Sequence, residues 1–252
     1  MKFSLIIPAK NEEKRIVLPL LDYYNALQQR FGNGQFEIII VVNNTTDRTV
    51  SLLKSLTSIL RANEIKIFDI GNAESKGRSV LYGLKKAKGD IVGFTDADGS
   101  YKSQEVLKFY RKLVTSEADA IIPNRYSKKS VFTGHLPIMR KIYSRFFNLL
   151  VRFLLGLSHK DTQGGLKLFR KTAVKKVLPS VATFGWTFDV SILHQFKLHD
   201  YTVKESAIEW THYDGGSVNF VNTASNIIRE LYLLTVSHYT RKAPLELLSL
   251  KN

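Results

Sequence analysis

Ile91-Val92-Gly93-Phe94-Thr95-Asp96-Ala97-Asp98-Gly99 is a short apolar run that ends in two carboxylates one residue apart. Such a run, bounded by turn residues, reads as a buried strand, and α/β proteins hold ligands in the crevice beyond the carboxyl ends of their strands. Two acids at that position can share a hard divalent cation, which commonly bridges the phosphates of a nucleotide. Taken alone, Asp96-Ala97-Asp98 also reads as a solvated turn, with Asp98-Gly99 as ordinary turn chemistry. The sequence on either side decides between the two.

Upstream, apolar β-type runs over Phe3–Ile7, Phe36–Val42, Ile65–Ile70 and Ile91–Thr95, with Ala118–Pro123 downstream, alternate with helical patterns. The helices are expected over Glu12–Arg30, Asp47–Arg61, Lys76–Lys88 and Ser103–Thr115, where apolar residues recur near 3.6 spacing. Alternating βα units predict a mostly parallel sheet covered by helices on both faces. The loops after Ile7, Val42 and Thr95 should then gather on one sheet edge, where a nucleotide would bind.

After Pro123 the rhythm changes. A long helical stretch spans Leu136–Leu157, a strand Leu166–Phe169, a helix Asp189–His199, a strand Val203–Glu209, and a last helix Ala224–Thr240. There is no Pro/Gly/Ser-rich linker and no repeat, so residues 1–252 read as a single domain. Within it, 1–123 carry the regular βα alternation, 124–243 the amphipathic helices, and 244–252 a tail. On a helical wheel Lys141, Arg145 and Arg152 share a narrow arc and Arg140, Ser144 and Asn148 an adjacent i, i+4, i+8 stripe. Opposite lie Ile142, Phe146, Leu149, Leu150 and Phe153, among others. Such a helix either packs on its own protein or lies in a membrane interface, and part of the face can do each.

The 252 residues suffice for a substantial core, and the absence of cysteine excludes disulfides, thiolate metal sites and cysteine nucleophiles. Any chemistry rests on oxygen and nitrogen. The net charge of +15 implies an anionic partner, whether nucleic acid, nucleotide or membrane surface. Met1-Lys2 runs straight into Phe3–Pro8 and then Lys10-Asn11-Glu12-Glu13, which reads as a first strand rather than a secretory signal. No stretch approaches the roughly 18 uninterrupted apolar residues of a spanning helix.

The order of the pieces is more specific than any one of them: strand-Pro8-x-x-Asn11-Glu12, strand-Asn43-Asn44-x-x-Asp47-x-Thr49, Lys76-Gly77, Gly83-Leu84, Gly89-Asp90, Asp96-x-Asp98. Together they resemble the inverting family 2 glycosyltransferases, of the nucleotide-diphospho-sugar transferase (glycosyltransferase type A) α/β fold. The second half resembles the polyprenyl- and dolichyl-phosphate glucose and mannose synthases, through Asn124-Arg125-Tyr126, Arg140 with Ser144 and Asn148, Asp161–Phe169, Gly185-Trp186-x-Phe188-Asp189 and Trp210-x-His212 with Gly216-Ser217.

That resemblance implies transfer of a hexose, with inversion, from a nucleotide-diphospho-sugar to a polyprenyl or dolichyl phosphate, with 1–123 as the nucleotide-sugar-binding half and 124–243 as the acceptor-binding half. Asp98, with Asp96 beside it, would ligate Mg²⁺ or Mn²⁺ and anchor the donor diphosphate. Pro8, Ala9, Asn11, Glu12, Asn43, Asp47, Lys76, Gly77 and Ala97 would line the donor pocket. Arg125, Arg140 and Ser144 would hold the acceptor phosphate, for which guanidinium groups supply bidentate geometry. Asp161 joins Asp96 and Asp98 as a catalytic candidate, since the matching carboxylate is sometimes assigned to orienting or deprotonating the acceptor. As a plain strand-start residue it would instead bond Thr162 or Gln163. His212 and Ser217 would belong to a loop closing over the diphosphate.

The chain departs from that pattern at Val42-Asn43, where relatives carry paired aspartates, at Ser75-Lys76-Gly77 in place of Gly-Lys-Gly, and at Ser100 in place of a glutamine. At Val42-Asn43 the contact to the base loses a charge, whereas Ser100, Asp161-Thr162-Gln163 and Gly185-Trp186 resemble the glucose branch, and so a UDP-sugar is favoured over GDP-mannose. The expected partners are therefore the donor, the lipid phosphate and an anionic membrane, with a cytoplasmic, peripheral location on the membrane's cytoplasmic face. Self-association to a homo-oligomer stays open. A nucleotidyltransferase would need a Gly-rich basic loop after the first strand, where Pro8-Ala9-Lys10-Asn11 stands. A nucleic-acid-binding module would interleave aromatics with a basic groove, whereas here they gather on an apolar helix face.

Overall fold

The computed structural model describes residues 1–72, 75–135, 137–213 and 220–240, without the side chains of residues 140, 220–224 and 240. Strands β1 (Phe3–Ala9), β2 (Phe36–Val42), β3 (Ile65–Asp69), β4 (Ile91–Phe94) and β5 (Ala120–Pro123) alternate with helices α1 (Val17–Phe31), α2 (Thr49–Leu60), α3 (Lys76–Lys86) and α4 (Ser103–Val114). There follow β6 (Val131–Thr133), α5 (Ile138–Leu155), β7 (Lys167–Arg170), α6 (Lys171–Val177), α7 (Phe188–Leu198), β8 (Val203–Ser206), β9 (Glu209–Thr211) and α8 (Phe220–Thr240).

Among the described residues one sheet has the order β3-β2-β1-β4-β7-β5-β8, parallel except for β7, which runs antiparallel to both neighbours. Every residue of β1 and β2 is buried, because helices cover both faces. The period of two then splits each strand: Phe3, Leu5 and Ile7 join the core under α1 and α4, while Ile6 joins Val80 and Leu84 of α3 and Phe188, Ile192 and Phe196 of α7. A third cluster ties Val151 and Leu155 of α5 to Val190 and Leu193 of α7 and to Leu231 and Leu234 of α8.

The first helix begins at Val17 rather than Glu12, since the amides of Arg15 and Ile16 close a tight turn on the Glu12 carbonyl. The strand expected over Val203–Glu209 is two strands: β8 belongs to the large sheet, and β9 pairs in parallel with β6 in a separate ribbon. Neither β6 nor α6 is anticipated by the sequence pattern, β6 being too short to show a period.

Register fixes where the loops meet. Ala9 pairs with Val42, Ile6 with Phe94 and Pro123 with Ser206, so the loops after β1, β2, β4, β5 and β8 leave from one edge. The order reverses between β2-β1 and β1-β4, a topological switch point. Because β7 is inverted, Lys167 at its start pairs with Phe94 at the end of β4. The segment 161–166 therefore arrives at the same edge.

Candidate active site

Asp96 and Asp98 stand directly after β4, as the sequence reading expects. Asp96 Oδ1 is ion-paired with Lys76 Nζ at the start of α3. A Cβ on Gly165 would fall 1.9 Å from Asp96 Oδ2, so the backbone before β7 lies against the second oxygen and only glycine fits there. Asp98 Oδ1 accepts the Ser100 amide at 2.9 Å, and its other oxygen has no protein partner among the described residues. Asp98 is thus the better placed to take a ligand.

The first two strand ends are laced together. Asn11, at positive φ, accepts the Thr46 amide at 2.9 Å, the Glu12 amide donates to Thr49 Oγ1 at 2.8 Å, and the Glu13 amide donates to Asp47 Oδ2 at 3.1 Å. Asp47 also accepts from the Thr49 amide and hydroxyl at 2.9 and 2.6 Å. Buried Asn43 accepts nothing at its Nδ2, which donates to the Ser75 carbonyl at 3.1 Å and to Ser79, and so pins the end of β2 to the start of α3. Pro8 and Ala9 form the last part of β1. Burial raises the Glu12 carboxyl against the pull of Arg15, and Asp98 and Asp96 raise it further. The charges of Asp98 and Asp96 are thus felt at Glu12.

Behind the pair, Tyr101 Oη accepts the Gly165 amide at 3.0 Å, and Asp22 binds the first residue of α4 through Ser103 N and Oγ at 2.9 and 2.8 Å. Fully buried Lys167 donates to Asp189 Oδ1 at 2.5 Å and to the Gly164 carbonyl at 2.6 Å. Burial pushes Lys167 down and Asp189 up, each held back by the other's charge. A lysine inside the apolar run Leu166–Phe169 is the one sequence signal for this pair.

On the other side of the 161–166 segment, Arg125 grips Asp161 by Nε to Oδ2 at 2.7 Å and Nη2 to Oδ1 at 2.8 Å, with the Arg125 amide adding 3.0 Å to Oδ2. The partner of Asp161 is therefore neither Thr162 nor Gln163. Burial alone would raise this fully buried carboxyl, but the guanidinium and its hydrogen bonds hold it below the ordinary carboxylate range. The Arg125 guanidinium lies 5.4 Å over the Trp210 ring, which packs on Phe132 at 4.5 Å.

Ser144 Oγ is 2.5 Å from Tyr126 Oη, and Asn148, one turn on, donates to Tyr126 Oη at 3.3 Å and accepts from Thr162 N and Oγ1 at 3.0 and 2.8 Å. This chain of bonds docks α5 on the Asp161 segment. Tyr126, Asn148 and Thr162 are the members that the sequence reading quotes without a role; the i, i+4 spacing of Ser144 and Asn148 is the signal that joins them. The His212 amide donates to the Thr133 carbonyl at 3.0 Å, holding it to the ribbon. The Arg140 side chain and Ser217 lie outside the described residues.

The carboxylate pair suits a hard cation that keeps most of its shell for water and diphosphate oxygens. No group of three or more acidic or histidine side chains that could hold a metal occurs among the described residues. On the outer side of α5, Ile138, Met139, Ile142, Tyr143, Phe146, Leu149 and Phe153 are exposed, Phe153 by 84 %, while Asn148, Val151 and Leu155 are buried. Ile228, Tyr232 and Tyr239 of α8 are exposed too. No described helix is long and apolar enough to cross a membrane.

Comparison with known proteins places this geometry. The family model "Glycosyl transferase family 2" matches residues 4–178. Dolichyl-phosphate beta-glucosyltransferase of Saccharomyces cerevisiae is 31% identical over 95% of this chain and 77% of its own length, and the Drosophila melanogaster protein of that name 28% over 94% and 76%. Among solved structures, Mycobacterium tuberculosis glucosyl-3-phosphoglycerate synthase in complex with Mn²⁺, uridine-diphosphate and phosphoglyceric acid aligns with a TM-score of 0.65 at 17% identity, covering 94% of this chain and 77% of that one. Staphylococcus aureus TarS 1-349 with UDP-GlcNAc gives 0.58 at 18%, covering 100% and 76%. These structures share the type A glycosyltransferase fold with this chain. Matched across residues 4–178 and 31% identical to a relative along almost its whole length, the chain belongs to glycosyl transferase family 2 and is a glycosyltransferase.

Proposed function

We propose that the protein transfers a hexose from a nucleotide-diphospho-sugar, UDP-glucose in preference to GDP-mannose, to the phosphate of a polyprenyl or dolichyl lipid at the cytoplasmic face of a membrane. The observation that carries this reading is the 161–166 segment. One side of it presses Gly165 on Asp96, and the other binds Arg125 and Asn148, so a carboxylate pair and a cluster of guanidinium and hydroxyl groups are separated by a single stretch of backbone. The cluster lies beside α5, whose exposed apolar residues adjoin Lys141 over the Phe132 ring and Arg145 over the Tyr126 ring. Apolar and aromatic residues beside cations suit an interface of anionic lipid. The similarity to dolichyl-phosphate beta-glucosyltransferases supports the same acceptor and sugar.

In this scheme Asp98 and Asp96 hold Mg²⁺ or Mn²⁺, which supplies charge neutralisation to the departing nucleoside diphosphate. Lys76 and the first turn of α3 face the same diphosphate. Pro8, Ala9, Asn11, Glu12, Asn43 and Asp47 frame the nucleoside. An oxygen of the acceptor phosphate attacks the anomeric carbon as the bond from that carbon to the diphosphate oxygen breaks, which inverts the centre. A phosphate monoester has a second pKa of about 6 and is largely a dianion at neutral pH, so no strong base is needed. Asp161, paired and held ionised, then serves to orient Arg125 toward the acceptor phosphate beside Arg140 and Ser144. The enclosing contacts of His212 and Ser217 are part of the same proposal.

Incubation with polyprenyl phosphate and labelled UDP-glucose, GDP-mannose or UDP-N-acetylglucosamine, with and without chelator, tests the scheme. Chelator-sensitive transfer to lipid, greatest from UDP-glucose, is the expected result. No lipid product from any donor would refute it. Arg140→Ala should raise the acceptor KM with little change in that of the donor.

A further inference from the structure

We propose that Glu230, on α8, is a positioning residue for the donor: its carboxylate holds the Gly185–Thr187 turn and through it the first turn of α3. The inference rests on the reaction proposed above and assigns part of its donor affinity to a helix outside the crevice. Glu230 Oε1 accepts the Gly185 amide at 2.8 Å, and Oε2 accepts the Thr187 amide and hydroxyl, both at 2.9 Å. Helix α7 has no side-chain cap from Thr187 itself. An anion from a different helix therefore satisfies these orphan donors and complements the positive end of α7. A Cβ at Gly185 would fall 2.2 Å from Glu230 Oε1, so glycine is required there for the carboxylate to lie on the backbone.

Phe184 and Phe188, which flank this turn, touch three consecutive residues of α3. A Cβ at Gly77 would fall 2.3 Å from the Phe184 carbonyl oxygen, Lys76 Nζ sits 6.0 Å over the Phe188 ring, and the Arg78 guanidinium 5.2 Å over the Phe184 ring. Lys76 is the residue that pairs with Asp96. On its far side, the Trp186 carbonyl accepts from Gln163 Nε2 at 3.4 Å. The turn is thus a wedge against the diphosphate-facing end of α3, and Glu230 fixes its position. Helix α8 is docked by other residues, Leu231 and Leu234 in the core beside α5 and α7, Ile227 against it, and His238 bonded to His194. The charge of Glu230 is accordingly separable from the docking of its helix.

The test is calorimetric titration of the full chain with UDP in the presence of Mn²⁺, for wild type, Glu230→Gln, Glu230→Ala and Gly185→Ala, beside thermal melting and the acceptor KM. Glu230→Gln sets an amide donor against an N–H donor. Gly185→Ala displaces the carboxylate, the mobile end of a side chain, without touching α8. A Kd for UDP weakened about tenfold in Glu230→Ala and Gly185→Ala, with an acceptor KM within about twofold of wild type, is expected for the loss of charge-assisted bonds. A purely structural role would reduce the amount of binding-competent protein and leave the Kd of the remainder unchanged. Unchanged UDP affinity in Glu230→Gln and Gly185→Ala would overturn the proposal even if Glu230→Ala fails to fold, as would equal shifts for donor and acceptor. A wild type that binds neither UDP nor GDP defeats the proposed reaction, and this inference with it.

Discussion

At the proposed donor end, Asn11, Glu12, Asn43, Asp96 and Asp98 sit on the tips of three neighbouring parallel strands, and each is held by residues close to those tips. At the proposed acceptor end, Arg125, Ser144, Asn148 and Asp161 come from a loop after β5, a helix, and the approach to an antiparallel strand. Their bonds join a loop, a helix and a strand approach rather than neighbouring strand tips. The two ends also differ in charge. Around Asp98 one carboxylate oxygen has no partner among the described residues, and in the proposed reaction a cation would complete it. Around Arg125 the charge is already paired with Asp161, so the guanidinium is oriented by the protein itself. A site whose charge is completed by its ligand gains from binding, whereas one completed by the protein gains in geometry.

The contrast can be broken from either side. The largest effect belongs to Asp98→Ala, which should lower metal-dependent turnover about 10²–10³-fold or more, the scale of losing one main stabiliser of transition-state charge. The fold should survive, and unchanged turnover across a Mn²⁺ titration would contradict the assignment. At the other end, Asp161→Asn removes one partner of a buried ion pair and should cost about 3 kcal/mol in chemical denaturation, with a raised acceptor KM. Loss of activity without loss of stability would return Asp161 to the role of base.

A third measurement uses pH. Burial, then His238 and Lys197, push the fully buried His194 imidazole down to about 4. Above pH about 6.5 it is neutral in both folded and unfolded chains and contributes no pH dependence. Between there and about 4 the unfolded chain takes up a proton that the folded one refuses, so stability should fall by about 3 kcal/mol over that range. The packing of α7 on α8 should loosen first, since His194 Nε2 lies 2.9 Å from His238 Nδ1. His194→Leu should flatten the dependence, and a flat wild-type curve would argue against it. The smallest effect is expected from Phe153→Ser, which should leave the melting temperature nearly unchanged while weakening flotation with anionic liposomes, as removal of about 1.5–3 kcal/mol of apolar burial predicts. Equal flotation of the variant would remove Phe153 from the lipid-facing surface.

Most of the sheet is legible in the residues. The strands Phe3–Ala9, Phe36–Val42 and Ile91–Phe94 carry the hydrophobic runs that a doubly covered parallel sheet needs, and their polar tips follow from position in the chain. Asp96-Ala97-Asp98 is legible for the same reason, because a local signal, a strand stop, places it. Less could be read after Pro123. The three-residue strands Val131–Thr133 and Glu209–Thr211 are too short to carry a period, and α6 is masked by its position directly after β7. The apolar face of α5 is visible on a wheel, but not which part of it is covered: Val151 and Leu155 are buried and Phe146 and Phe153 exposed, although all four are equally apolar. By itself, then, the sequence determined the βα order up to Pro123, the strand-end carboxylates and the amphipathic character of α5, all properties of neighbours in the chain. Only the tertiary structure decided that β7 is inverted between β4 and β5, and so that Gly165 lies on Asp96, Arg125 on Asp161 and Glu230 on Gly185. Strand direction and distant pairing depend on which surfaces of a whole chain can be buried together, and no local stretch encodes that.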